Sequence, residues 1–237
     1  MRFARIDALR GAAIVWMAAF HLCFDLNNYR LLIAPQNFYD DPFWTRQRVC
    51  IVSLFLFCAG LGQAAALAAG QGWPRFWRRW GQVAGCAVLV SLGSAFMFPR
   101  SWISFGILHG IALMLVAARL AAPLGAALWP LGAVAIALPF FVQSPCFDSR
   151  WTDWVGLVTH KPVTEDYAPL LPWLGVMLWG LAAGRWLIEN RREWVAGPLA
   201  APLRPLAWLG SWSLSFYMIH QLVFIGAIEL WRWLGAH

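Results

Sequence analysis

Charged side chains are scarce in this sequence. Only 12% of the 237 residues are Asp, Glu, Lys or Arg, 61% are hydrophobic, and the mean hydropathy is +0.60. Soluble domains carry about 25% charged residues, and so few polar side chains cannot cover a soluble globule of this length. The composition therefore excludes a soluble domain and indicates that lipid solvates most of the surface.

Several motifs are also missing. The sequence contains no nucleotide-binding loop, no low-complexity tract, no clear internal repeat and no basic-aromatic motif for nucleic acid. The cysteines form no C-x-x-C pair, which indicates neither a disulfide framework nor a zinc site. They are Cys23, Cys50, Cys58, Cys86 and Cys146. We therefore expect no bound metal, no nucleic-acid partner, and a single domain over residues 1–237.

Long continuous apolar runs are what the sequence has instead. A bilayer core of roughly 30 Å needs about 20 apolar residues per helix, and the runs are too long for the alternating strands of a barrel. They lie at about 11–33, 49–69, 81–98, 103–119, 124–142, 169–188 and 206–231. These runs predict an all-α, polytopic membrane bundle of about seven spanning helices. Pro123 and Gly125 predict a tight hairpin between the fourth and fifth runs.

The basic residues predict a cytoplasmic amino terminus, because cytoplasmic loops collect Arg and Lys. With that orientation the inner segments hold eleven basic residues: Arg2, Arg5, Arg10, Arg75, Arg78, Arg79, Arg119, Arg185, Arg191, Arg192 and Arg204. The outer segments hold seven: Arg30, Arg46, Arg48, Arg100, Arg150, Lys161 and Arg232. The net charge of +7 thus indicates membrane orientation and contact with anionic headgroups.

Two segments are predicted to lie at the membrane interface. The segment Trp73–Trp80 is typical of an interfacial anchor. In the outer loop of about 143–168, a short interfacial helix is predicted by the helical spacing of Trp151, Trp154, Leu157 and Val158.

The first predicted helix carries a polar stripe that begins just before the first apolar run. Asp7, Arg10, His21 and Asp25 are separated by 3, 11 and 4 residues, and at about 100° per residue these steps return to one helix face. Such residues also argue against a cleaved signal peptide. A charge at mid-membrane costs at least about 2.5 kcal/mol on insertion scales, so this face must meet protein, water or a ligand. His21 is expected near the midplane.

Two further histidines are predicted at a similar depth. His109 lies in the fourth run and His220 in the last, and counting from the membrane edges brings both near the level of Asp25. We therefore expect these side chains to share a cavity in the outer leaflet. A single intramembrane histidine is about as often an interhelical hydrogen-bonding group as a functional one. Asp25 could simply fix the tautomer of His21, one turn away.

Five segments resemble bacterial membrane proteins related to heparan-α-glucosaminide N-acetyltransferase. The opening stretch from Arg5 to Val15, continuing with Phe20 to Leu26, looks like the first helix of that family. The other similar segments are Leu54–Gly60, Phe105–His109, Asp166–Gly175 and Tyr217–Gln221. The resemblance covers nearly the whole chain, and the spacing from Arg10 to His21 is also similar to that of membrane O-acyltransferases.

The resemblance implies transfer of an acyl group, usually acetyl, from cytoplasmic acyl-CoA to an extracytoplasmic glycan. On that basis His21 is expected to act as general base or acyl carrier, with Asp25 orienting it. Arg10 and Asp7 are expected at the donor site. The acceptor-facing half would include His109, Asp166, Trp173 and His220. The implied partners are the lipid bilayer, acetyl-CoA as donor and a sugar acceptor, with a homo-oligomer as an open option, in a bacterial inner membrane.

Three other classes stay open from the residues alone. A proton-coupled transporter or flippase could use the same polar stripe. A haem or quinone protein could use the histidines as axial ligands. A structural membrane subunit would need every buried polar group to be paired with another.

Overall fold

The regular structure is entirely helical in the computed structural model, which describes residues 3–235. The predicted all-α class is therefore confirmed. The α-helices are α1 Ala4–Asn28, α2 Pro42–Ala68, α3 Trp73–Met97, α4 Ile107–Ala121, α5 Leu128–Phe141, α6 Leu170–Asn190, α7 Arg192–Ala196, α8 Arg204–Ser211 and α9 Ser213–Gly235. Arg2, one of the basic residues used to predict the orientation, lies outside the described range.

Six helical stretches of the described chain are long and apolar enough to cross a membrane, so this is a multi-pass membrane protein. One of them, Ile107–Phe141, has 35 residues and would be about 52 Å long as a single straight helix, well over the roughly 30 Å hydrocarbon core. It is interrupted between α4 and α5 by the 3₁₀ segment Ala122–Ala127. There Gly125 has φ 58° and ψ −123°, a conformation that glycine adopts at little cost.

The contacts of α6 show that α4 and α5 run in opposite directions. The first amide of α4, Ile107 N–H, donates to Asp166, which precedes α6. Arg185, near the far end of α6, donates to the Ala122 carbonyl at the end of α4. Trp179, in the middle of α6, donates its Nε1–H to the Trp129 carbonyl in the first turn of α5. The α5 helix therefore starts beside α6 and runs back along it. The predicted hairpin is present, and the count of seven spans stays a prediction.

The chain divides into two compact units. One is built from Leu56–Gly197, and the other from Ala4–Phe55 together with the carboxy-terminal segment from Pro198. Residues 42–55 of α2 therefore belong to the second unit and the rest of α2 to the first. The prediction of a single domain stays a prediction.

Small residues on α6 allow close helix packing in the first unit. A Cβ atom at Gly175 would collide with the Gly132 carbonyl of α5, and one at Gly180 would collide with the Phe57 carbonyl of α2. Membrane helices associate through close packing of this kind, because lipid tails leave little hydrophobic driving force between helices. The glycines of α6 therefore explain why two other helices can lie directly against it.

The second unit is organised around α1. This helix crosses α8 where Gly11 faces the Leu206 carbonyl and Gly210 faces the Asp7 carbonyl, and a Cβ atom at either glycine would collide with backbone. The carboxy-terminal half of α1 lies beside α9, whose residues bear the polar contacts described below. The α1 helix thus has α8 at its first turns and α9 further along.

The structure corrects several predicted boundaries. The last apolar run, predicted as one helix over 206–231, is divided at Trp212 into α8 and α9. The segment Trp73–Trp80, predicted to lie between two spans, forms the first two turns of α3. Helix α1 begins at Ala4, before the first apolar run, and Asp7 and Arg10 lie on it as the polar stripe predicted.

The predicted interfacial helix of the outer loop is wrong. Its residues form only the 3₁₀ turn Asp153–Val155, which ends at Gly156 with φ 94°. A Cβ atom at that glycine would collide with the Leu171 carbonyl, so the backbone reverses too tightly for a longer helix. Of the four residues at helical spacing, Leu157 is buried and Trp151 is 87% exposed.

Candidate active site

A pair of histidines joins α1 to α9. His21 Nδ1 lies 2.8 Å from His220 Nε2, and the two ring planes are inclined by only 22°. The sequence predicted both residues near one membrane depth, and the structure brings them into direct contact. The predicted cavity shared by Asp25, His109 and His220 stays a prediction, because His109 belongs to the other unit.

The hydrogen bonds of this pair fix its tautomers. His220 Nδ1 lies 2.8 Å from the Tyr217 carbonyl oxygen, which can only accept, so that nitrogen carries the proton. In a neutral ring the other nitrogen, His220 Nε2, must then accept, and His21 Nδ1 must donate to it. The same logic leaves His21 Nε2 with a lone pair. A buried imidazolium without a carboxylate contact would be costly, which favours the neutral pair.

Aromatic side chains of α9 hold the His220 ring in place. Phe216 stacks on it at a centroid distance of 5.8 Å and an interplanar angle of 7°, and Phe224 meets it edge-on at 5.9 Å. These residues precede and follow His220 by four positions, so they lie on the same helix face. His220 is only 5% exposed. Its ring therefore has one well-defined orientation toward His21.

Asp25 is bonded to Gln221, and its expected contact with His21 is absent. Gln221 Nε2 donates to both carboxylate oxygens of Asp25, at 2.7 and 2.9 Å. His220 bonds to His21 Nδ1, and the role of Asp25 in orienting His21 stays a prediction. Asp25 is 4% exposed, and the Oε1 atom of Gln221 is buried without a hydrogen-bond partner. Gln221 follows His220 directly on α9, so neighbouring residues of that helix contact Asp25 and His21.

Asp7 and Arg10 form an ion pair in the first turns of α1. Arg10 Nη1 donates to Asp7 Oδ1 at 3.0 Å, and both side chains are mostly shielded from solvent. The Asp7 carboxylate also suits the positive amino-terminal end of the helix. The pair is placed by the α1–α8 crossing, because Gly210 packs against the Asp7 backbone.

His109 uses both ring nitrogens within its own unit. Ser91 donates its hydroxyl to the Ile103 carbonyl at 2.6 Å, so it accepts from His109 Nε2 at 3.1 Å. The other nitrogen, Nδ1, accepts from Gly106 N–H at 3.3 Å and caps the start of α4. The ring thus joins α3 to the first turn of α4. The predicted contact of His109 with a substrate has no free ring nitrogen to use.

Asp166 and Trp173 flank the same corner of the first unit. Asp166 Oδ2 accepts from Ile107 N–H at 2.7 Å, which places a carboxylate at the positive end of α4. Trp173 lies half-buried in the first turns of α6. Asp166 is therefore held by backbone, as His109 is, and a role of either residue toward the acceptor stays a prediction.

Two polar residues of these clusters were not singled out from the sequence. Gln221 stands next to His220 in the Tyr217–Gln221 segment, and its position on the same turn could have pointed to it. Ser91 lies within an apolar run and gave no such signal.

Among residues 3–235, no group of three or more His, Cys, Asp or Glu side chains is arranged to hold a metal ion.

Asp148 and Asp153, two of the acidic residues in the outer loop, have contrasting environments. The Thr159 hydroxyl and amide donate to Asp148 at 2.5 and 2.7 Å, which lowers the pKa of that carboxyl below its ordinary value. Burial raises the pKa of Asp153, which is 1% exposed and whose Oδ1 atom has no partner in the described chain. Tyr167 donates its hydroxyl to the Asp153 carbonyl at 2.7 Å. These groups order the loop that precedes α6.

Comparison with known proteins gives one family. The profile described as "Heparan-alpha-glucosaminide N-acetyltransferase, catalytic" matches residues 2–222. Among curated proteins and solved structures, nothing matches the chain. The matched range spans α1 to the first turns of α9, and so includes His21, Asp25, His220 and Gln221. The polytopic helical architecture and this match together imply a transmembrane acetyltransferase. The chain belongs to the heparan-alpha-glucosaminide N-acetyltransferase catalytic family.

Proposed function

We propose that this protein transfers an acetyl group from cytoplasmic acetyl-CoA to a hydroxyl or amine of an extracytoplasmic glycan. Family membership supports the acetyl-transfer class. The observation that carries the chemistry is the hydrogen-bond chain from the Tyr217 carbonyl through His220 to His21. In the proposal the cell is bacterial and the membrane is the inner membrane.

His21 is the proposed base. Its Nε2 lone pair takes the proton of the acceptor hydroxyl or amine as the acceptor attacks the thioester carbonyl. The carbon–sulfur bond then breaks, and the proton passes from His21 to the departing thiolate to give free CoA. The acetyl carbon ends on the acceptor oxygen or nitrogen. A variant of this path forms an acetyl-imidazole at the same nitrogen before transfer to the acceptor.

His220 is a positioning residue in this proposal. By accepting from His21 Nδ1, it keeps the proton off the reactive nitrogen and shares the charge when His21 becomes an imidazolium. The unpaired Gln221 Oε1 can accept from that imidazolium, while Asp25 holds the amide through its Nε2 atom. Asp25 would therefore act on His21 through Gln221.

The remaining residues are assigned to the two substrates. Arg10, partly neutralised by Asp7, is proposed to contact the phosphates or pantetheine arm of the donor. From Arg10 to Asp25 the helix spans about 22 Å, comparable to an extended pantetheine arm. His109, Asp166 and Trp173 are proposed to shape the acceptor-facing half.

The decisive experiment measures CoA release by the purified full-length protein in lipid nanodiscs. Acetyl-CoA would be supplied with amino sugars and neutral sugars in parallel, and the acetylated product identified by mass spectrometry. We expect CoA release that depends on the acceptor. Release without acceptor, with an acetyl group retained on the protein, would identify the acetyl-imidazole path. No release with any acceptor would contradict the proposal.

A measurement of acetyl-CoA binding tests the proposed role of Arg10 separately from the catalytic role of His21. We expect Arg10→Ala to weaken binding of acetyl-CoA by about tenfold, because one charge-assisted contact is lost. Unchanged affinity would place the donor site elsewhere. Solute or proton flux in proteoliposomes without CoA release would instead support the transporter hypothesis.

A further inference from the structure

Arg119 is a buried arginine at the end of α4 that faces aromatic rings. It is 8% exposed, and its guanidinium carbon lies 5.4 Å from the centroid of the Trp73 ring and 5.6 Å from that of Phe76. One terminal nitrogen, Nη2, donates to the Gln71 carbonyl at the end of the α2–α3 turn. The side chain is therefore packed against the start of α3.

The other terminal nitrogen of Arg119 is unpaired. Nη1 is buried and has no hydrogen-bond partner among the described residues. Arg185, on α6 of the same unit, is paired differently: it donates to the Ala122 carbonyl and approaches Glu189 at 3.9 Å. A buried guanidinium is expensive unless paired, and the penalty at Arg119 points to a missing anionic group.

The first turn of α3 offers donors for the same anion. Its cap residue, Gly72, provides no side-chain hydrogen bond, and the turn contains no acidic residue. Pro74 has no N–H, and the amides of Trp73 and Arg75 lack intrahelical partners at the positive end of the helix dipole. Gly72 lies between Gln71 and Trp73, which are both in contact with Arg119, so the guanidinium is at this helix start. Arg75 and Arg78 add positive charge in the first two turns.

We propose that the amino-terminal turn of α3 and Arg119 together bind a phosphate group. Phosphate fits because a helix start supplies amide donors and a guanidinium supplies a planar pair of donors. The exposed rings of Trp73 and Trp77, stacked at 5.9 Å, are typical of a membrane interface. The phosphate ester can belong to an anionic lipid headgroup or to CoA, and the CoA source rests on the proposed function.

The test is equilibrium binding to the purified full-length protein in detergent micelles. The lipid probe is phosphatidylglycerol, with diacylglycerol as the phosphate-free control. The donor probe is CoA, with pantetheine as the phosphate-free control. We expect Arg119→Gln to weaken binding of at least one phosphate probe by about tenfold, since a charged hydrogen bond is lost. Arg78→Gln, which removes an exposed charge from the same region, should weaken it less than threefold.

The probes separate the two sources. If R119Q loses binding only to phosphatidylglycerol, the site binds a lipid headgroup. If it loses binding only to CoA, the site binds the donor. Should R119Q fail to fold, Arg119→Lys decides, because the ammonium keeps the charge but lacks the paired donors; about fivefold weaker binding is expected. Equal binding by the wild type and R119K, or no preference for phosphate over the phosphate-free controls, overturns the proposal. The readout is independent of acetyl transfer, so its failure leaves the proposed function standing.

Discussion

The two intramembrane histidine sites use the same side chain in opposite ways. In the α3–α4 corner both nitrogens of His109 are bonded, one to the Ser91 hydroxyl and one to the Gly106 amide. On α1 and α9, His21 has a partner for Nδ1 and keeps Nε2 for another group. A histidine saturated by its own fold stabilises a helix start, whereas one with a spare nitrogen can react. The number of unused nitrogens therefore distinguishes the two sites.

Removing the His21 imidazole, and with it the free Nε2 atom, should have the largest effect on the rate of acetyl transfer. We expect His21→Ala to lower the rate of acetyl transfer by about a thousandfold, because the base is lost. The measurement is initial CoA release with acceptor present. His160→Ala is the matched control, since that histidine is in the outer loop and 89% exposed. If H21A keeps its rate, His21 has no part in the mechanism.

Replacing His220 tests whether this residue fixes the tautomer of His21. His220→Phe keeps a ring between Phe216 and Phe224 but removes the acceptor for His21, and we expect about a hundredfold loss of rate with little change in KM. The pH profile of the residual activity should also move, because the charge on His21 loses its partner. A wild-type rate together with a wild-type profile would reduce His220 to a packing residue.

Replacing Asp25, which is proposed to act through Gln221, should lower the rate less than replacing His21 or His220. We expect Asp25→Asn to lower the rate by about tenfold while donor affinity stays near that of the wild type, because the link to His21 is indirect. Gln221→Leu should give a similar loss, and the double variant should lose little more than either single variant. Fully additive losses would show that the two residues act separately.

At the saturated histidine we expect a stability effect. His109→Ala leaves Gly106 N–H without its partner and should cost about 1–3 kcal/mol in the free energy of unfolding, with transfer per folded molecule largely kept. The measurement pairs thermal unfolding with kinetics on the folded fraction. A raised KM for the acceptor with unchanged stability would make His109 a substrate ligand and erase the contrast with His21.

The smallest effect concerns the outer loop. Because the pKa of Asp153 is raised above its ordinary 3.8 on folding, the charged form opposes folding, and stability falls as the pH rises from 3.8 through the folded pKa. We expect Asp153→Asn to raise the unfolding midpoint by about 2 °C at neutral pH and to have no such benefit below pH 3.8. A uniform shift at both pH values would trace the effect to packing instead.

The sequence predicted much of the fold because membrane spans are local features. Hydropathy located the long apolar stretches that the structure shows as helices, and Pro123 and Gly125 marked the hairpin that the structure contains. Boundaries were less predictable, since Trp212 carries no strong signal for the division of the last run into two helices. The outer-loop helix failed because the contact of Gly156 with Leu171 is nonlocal, and helical spacing carries no information about it.

By itself, the sequence determined that this is a helical membrane protein with a polar stripe on its first helix, and it pointed to the acetyltransferase family. Those conclusions follow from composition, helical period and motif order. Only the tertiary structure decided that His21 meets His220, that Asp25 meets Gln221, and that His109 is saturated. Hydrogen-bond partners up to 199 positions apart depend on how helices pack, and helical period along one segment does not specify them.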